Sequence, residues 1–151
     1  MNGPLSQALQ SVGIRVCHHP VLVTAPPPSW KAFDAAWHLR QQVDWVGFTS
    51  QRAVRWFYQR LAILGGDLGE LSHCRVACIG PSTAEAWVAL GGKPPLVPAV
   101  FHAEALGEAM LQTGIGSGHC CWSPQALQAR EILGVLLRSA GIKVLETPTY
   151  Q

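Results

Sequence analysis

Three turns carry the residues best suited to chemistry, and each follows a short apolar run. Val76 to Ile79 is strand-like and is stopped by Gly80 and Pro81, after which Ser82 and Glu85 have the spacing of a capping box. That spacing predicts a helix starting at Ser82, with Thr83 in its first turn. The run Asp44 to Ser50 (DWVGFTS) ends in Thr49 and Ser50 and predicts a helix from Gln51; His119 to Ser123 (HCCWS) leads through Pro124 to a helix from Gln125. A helix N-terminus offers unpaired N–H groups and the positive end of its dipole, so all three turns suit anion binding. If the strands are parallel, Thr49, Ser50, Pro81, Ser82, Thr83, Ser123 and Gln125 share the crevice outside their carboxyl ends, where open α/β sheets bind ligands. Each hydroxyl also suits simple capping, and the two roles are compatible.

The elements that must position these turns fit one domain of 151 residues. With 48% hydrophobic and 13% charged residues the chain reads as globular, and a net charge of +2 lacks the basic footprint of a nucleic-acid binder. The N-terminus shows neither a basic run nor an apolar core, and no apolar stretch approaches the length of a membrane span, so a cytoplasmic protein is expected. Five cysteines without a regular framework fit reduced thiols. Cys17-His18-His19, His73-Cys74 and His119-Cys120-Cys121 cluster potential ligands but lack CxxC or HxxxH spacing, and no metal is expected. Gly114, Gly116 and Gly118 precede no Lys-Ser/Thr pair, which argues against a nucleotide loop.

In chain order, the pattern predicts a helix over 5–11, an extended segment over 14–23 with Pro20 near an edge, and a stiff linker at Pro26-Pro27-Pro28. Regular αβ alternation follows: helices over 30–42, 51–64, 82–90, 103–112 and 125–140, and strands over 44–49, 75–79, 96–98, 119–123 and 142–147. Residues 5–20 and 133–148 are identical at seven of sixteen positions. Any two αβ units reuse such stops; the other reading is a duplicated unit. In the second copy a strand precedes the helix, whereas in the first it would fall before Met1. The segment 14–23 is therefore expected to lack its partner, and the chain to be a piece of a two-domain architecture.

The segments FTSQRAV (Phe48 to Val54), VACIGPSTAEA (Val76 to Ala86) and LLRSAGIKVLETPTYQ (Leu136 to Gln151), in this order, resemble uroporphyrinogen-III synthases. The resemblance implies a flavodoxin-like, doubly wound, five-stranded parallel sheet over 28–151, with 1–25 a fragment of the other domain and the remainder of that domain a missing partner. The implied strand order is 142–147, 119–123, 44–49, 75–79, 96–98. The implied reaction closes hydroxymethylbilane to uroporphyrinogen III, with inversion of the last pyrrole ring and loss of water, without metal or cofactor, in an enzyme that is monomeric when complete. Tyr150 matches the family's tyrosine that assists departure of the substrate hydroxyl; a phenol is protonated at neutral pH and can donate to a leaving oxygen. Where relatives usually carry a Pro-Arg-Gly turn, this chain has Ser123-Pro124-Gln125, leaving Arg130 as a charge nearby. The competing class is an inactive module that binds a small anion in the same crevice.

Overall fold

The computed structural model describes residues 3–19 and 22–151. Four parallel strands form the sheet: β1 (Trp45–Phe48), β2 (Arg75–Cys78), β3 (Cys120–Ala126) and β4 (Lys143–Tyr150), in the order β2-β1-β3-β4. The expected order and directions hold for these four. The fifth strand does not form: Leu96 makes a single parallel bridge to Ala77, with its N–H donating to Val76 O and its carbonyl accepting from Cys78 N, both at 2.8 Å. Pro94, Pro95 and Pro98 bracket it, and without their N–H groups no ladder can extend.

Alternation along the strands splits the core in two. Val46, Phe48 and Trp122 face a layer containing Phe33 and Trp37 of α2 (Lys31–His38), Phe57 and Leu61 of α3 (Gln51–Ile63) and Trp87 of α4 (Pro81–Ala89); helix α1 (Pro4–Ser11) lies outside this core. Trp45, Ala77 and Cys121 face Leu106 and Met110 of α5 (Ala103–Leu111) and Leu133 and Leu137 of α6 (Ile132–Ser139). The first layer is stitched by edge-to-face aromatic pairs, with Trp122 centred 4.9 Å from both Phe33 and Phe57. Its indole N–H donates to Thr147 Oγ1 at 2.8 Å, so the buried polar atom of the ring is satisfied. The connections leave β1 toward β2 and β3 toward β4, which puts the switch of winding direction between β1 and β3.

Two predicted boundaries are corrected. Strand β3 continues past Ser123 to Ala126, paired with β4 through Ser123↔Glu146, Pro124↔Thr147 and Gln125↔Pro148, and the helix begins at Ile132 instead of Gln125. Pro124 fits because β1 meets β3 only at Cys121 and Trp122, so a missing N–H beyond that ladder is tolerated. The described part of 14–23 forms no strand, and Leu22 and Val23 are exposed; Pro20 lies outside the described residues. Among the described residues Ala25 is the first tied to the end of β4, exchanging N–H···O bonds of 3.0 and 2.9 Å with Gln151.

Candidate functional site

At the carboxyl edge of β1 and β2 a cleft of about 490 Å³ is lined by Thr49, Ser50, Gln51, Arg52, Arg55, Ile79, Ser82, Thr83 and Tyr150. Ser50 caps α3, its Oγ accepting the Ala53 N–H at 3.1 Å. The same oxygen lies 3.2 Å from the Tyr150 hydroxyl, which the three extra residues of β4 carry across the end of β3. Residues 100 positions apart in the sequence thus meet at one hydrogen bond. Ser50 Oγ keeps a second lone pair beside the one that Ala53 occupies, so either hydroxyl of the Ser50–Tyr150 pair can donate to the other.

The second wall is the first turn of α4. Its N-cap is Gly80, with Pro81 at the first helical position, so the expected cap at Ser82 is corrected by two residues. No side chain caps this end; the first intrahelical donor is Ala84, to Gly80 O at 3.0 Å. The N–H groups of Ser82 and Thr83 belong to the first turn, which has no acceptor within the helix, and the same holds for Gln51 and Arg52 in α3. Two helix N-termini therefore point at one space. The third, expected at Gln125, is absent: Ser123 is 1% exposed inside the sheet, and the Gln125 carbonyl accepts the Thr149 hydroxyl at 3.1 Å. Neither Ser123 nor Gln125 lines the cleft, and Pro81 contributes by fixing the start of α4.

Sequence reasoning passed over Arg52 and Arg55. Their signal was spacing, because a helix capped at Ser50 puts positions 51, 52 and 55 on its first turns. Four other arginines are engaged, Arg40 with Glu70, Arg60 with Asp34, Arg138 with Glu146, and Arg75 over the Trp45 ring at 4.4 Å, whereas Arg15 and Arg130 are without an ion pair among the described residues and do not line the cleft. Among the described residues Arg52 and Arg55 have no ion pair, and their one side-chain hydrogen bond runs from Arg55 to Gln51 Oε1 at 3.2 Å. The cleft thus combines two unpaired cations, free backbone donors and a hydroxyl pair, an arrangement matched to a ligand with several carboxylates and a leaving oxygen.

The cysteines lie elsewhere. Burial pushes the Cys74 and Cys78 thiols from the ordinary 9.0 up to about 12, and Cys120 and Cys121 are also raised by burial. Such groups are protonated at neutral pH and poor nucleophiles. Cys74 Sγ donates to Val43 O at 3.0 Å and sits 3.4 Å from His73 Nε2; among the described residues no three His, Cys, Asp or Glu side chains gather as a metal site. A second groove of about 360 Å³, between Leu68 and Pro94, lies at the opposite, amino end of β2. Among the described residues no helix is long and apolar enough to cross a membrane.

Solved structures share this fold. A mutant uroporphyrinogen III synthase from Thermus thermophilus is similar with a TM-score of 0.71 at 22% identity, covering 96% of this chain and 56% of that one. A second Thermus thermophilus uroporphyrinogen III synthase structure gives 0.66 at 22% identity, over 87% and 50%. In sequence, the uroporphyrinogen-III synthase of Synechococcus elongatus is 31% identical over 150 residues, which are 99% of this chain and 56% of that relative. The chain therefore spans about half the length of the relatives it matches. A family model described as Uroporphyrinogen-III synthase HemD matches residues 3–151, and on that match, with the ordered motifs and the shared fold, this chain belongs to the uroporphyrinogen-III synthase family.

Proposed function

We propose that the Tyr150 cleft is one wall of a uroporphyrinogen-III synthase active site, which closes hydroxymethylbilane to uroporphyrinogen III with inversion of the last ring. The observation that carries this reading is the meeting of Tyr150 with Ser50 between two open helix N-termini and two unpaired arginines. Arg52, Arg55 and the N–H groups at Gln51, Arg52, Ser82 and Thr83 hold substrate carboxylates; Thr49 and the Ser82 and Thr83 hydroxyls add polar contacts along the same walls. Tyr150 donates its proton to the departing hydroxyl, so that the C–O bond breaks to release water and leaves a cationic pyrrole-methylene. Ser50, donating to the phenol oxygen, offsets the charge left there. The substituted α-carbon of the last ring, which carries the existing methylene bridge, attacks this methylene to give a spiro centre. The old bridge bond then breaks to a second cationic pyrrole-methylene, which the ring's free α-carbon attacks with loss of its proton, closing the macrocycle with the last ring inverted.

The flavodoxin-like domain at 28–151 supplies this wall, and the segment 1–25 belongs with the second domain of the family architecture. The substrate is flexible, and holding both of its ends in reactive geometry is worth several kcal/mol of barrier. The test is a chimera in which this chain replaces the matched part of the Synechococcus synthase. The ratio of isomer III to the isomer I that forms without enzyme is then measured. We expect predominantly isomer III from the chimera, a rate lowered severalfold or more by Tyr150→Phe, and little isomer III from the 151-residue chain alone. A folded chimera that leaves the ratio at its uncatalysed value overturns the assignment.

A further inference from the structure

Phe101 presents an aromatic ring to solvent at 59% exposure, beside Val100 at 58%. The ring is held in place. It lies against Gly80, where an added Cβ would come within 3.3 Å of Phe101 Cγ and 3.4 Å of its Cβ. Gly80 has φ −166° and ψ 176°, an extended conformation that any residue adopts, so the close approach of the ring is what calls for glycine there. The segment carrying Phe101 is tied at both ends. Leu96 is bridged to β2, and His102 caps α5, its Nδ1 accepting the Ala105 N–H at 3.1 Å while its backbone N–H donates to Val100 O at 3.1 Å.

Gly80 stands between Ile79 and Ser82, both of which line the cleft; Phe101 is not itself a lining residue but lies next to that wall through its contact with Gly80. The lining itself is polar, with Ile79 its sole aliphatic and Tyr150 its sole aromatic residue. A carboxylated oligopyrrole presents charged side arms and also flat, electron-rich ring faces. The arginines and helix N-termini serve the arms; an exposed, immobilised aromatic serves a face. We propose that Phe101 is a ring-stacking subsite for one pyrrole of a carboxylated oligopyrrole. This rests on the reading of the cleft given above and adds the residue that recognises the ring itself.

Uroporphyrin III, a stable carboxylated tetrapyrrole that emits on its own, is the probe, titrated by fluorescence into the 151-residue chain and its variants. Phe101→Leu is expected to weaken binding by about tenfold, the scale on which truncating a stacking aromatic acts, with the melting temperature and the salt dependence of binding unchanged. Phe101→Tyr and Phe101→Trp keep the face and are expected to bind like the native chain, an outcome that separates stacking from simple packing on Gly80. Arg52→Ala, in contrast, reduces the salt dependence. If the native chain binds uroporphyrin and Phe101→Leu binds equally well, or if Phe101→Trp loses as much as Phe101→Leu, the stacking subsite is refuted while the cleft assignment stands. If the native chain binds no uroporphyrin, both are refuted.

Discussion

Replacing Ser50 by Asp separates the two roles that meet at this residue. As the cap of α3, Ser50 accepts the Ala53 N–H at 3.1 Å; as a cleft residue, it touches the Tyr150 hydroxyl at 3.2 Å. Aspartate caps as well as serine and adds a charge that the helix dipole favours, whereas alanine loses the cap at a cost of about 1 kcal/mol. For 151 residues the unfolding entropy is about 0.3 kcal/mol/K, so the alanine variant should melt about 3 °C lower. The aspartate variant should melt at or above the native temperature. In binding the order reverses. A carboxylate about 5 Å from a ligand carboxylate, at an effective dielectric near 40, repels it by about 1.7 kcal/mol, roughly fifteenfold in affinity. Thermal melting and uroporphyrin titration of the native, Ser50→Ala and Ser50→Asp chains make the comparison. A Ser50→Asp chain that is stable and binds like the native one would refute the placement of carboxylates at this turn.

Three further outcomes follow from the core. Trp122→Phe removes the indole N–H that Thr147 accepts at 2.8 Å in a fully buried setting; with the lost ring volume this should cost about 2–4 kcal/mol. Combining it with Thr147→Val, which removes the orphaned hydroxyl, should cost less than the sum of the two changes; strict additivity in denaturant unfolding would count against the bond. Of the five cysteines, Cys17 alone is exposed, so iodoacetamide at pH 8 should label one site by mass spectrometry, and labelling at Cys74 or Cys121 in the folded chain would contradict their burial. The same burial sets a pH dependence. The folded chain keeps the Cys74 and Cys78 protons up to about 12 while the unfolded chain releases them near 9.0, so stability present below pH 9 falls as pH rises from there toward 12.

The four strands were legible because each is an apolar run ended by a strong stop, and their parallel direction because parallel strands need helical crossovers; their order came from the family resemblance. What failed was set by partners that the local pattern does not show. Pro124 reads locally as the lead into a helix from Gln125, yet Thr147, Pro148 and Tyr150 extend β4 alongside and hold Ser123–Ala126 in the sheet. Leu96 reads as strand but is hemmed in by prolines. Ser82 and Glu85 have capping-box spacing, yet Gly80-Pro81 starts the helix earlier and leaves the turn uncapped, which makes it more open to an anion. The hydroxyls at Thr49, Ser50, Ser82 and Thr83 were found from their turns. Arg52, Arg55 and Phe101 were not, since a charged helix position and an apolar loop residue acquire meaning only beside the cleft.

The central claim is that the carboxylated substrate lies at the carboxyl edge of β1 and β2, against Tyr150. Amide chemical shifts of the ¹⁵N-labelled chain, followed during titration with uroporphyrin III, test it directly. The largest changes should fall on Thr49 to Arg52, Ser82, Thr83 and Tyr150, and should weaken together in Ser50→Asp. Changes centred instead on Ser72, Gly91 to Lys93 and Leu68, the groove at the opposite end of β2, would contradict the account.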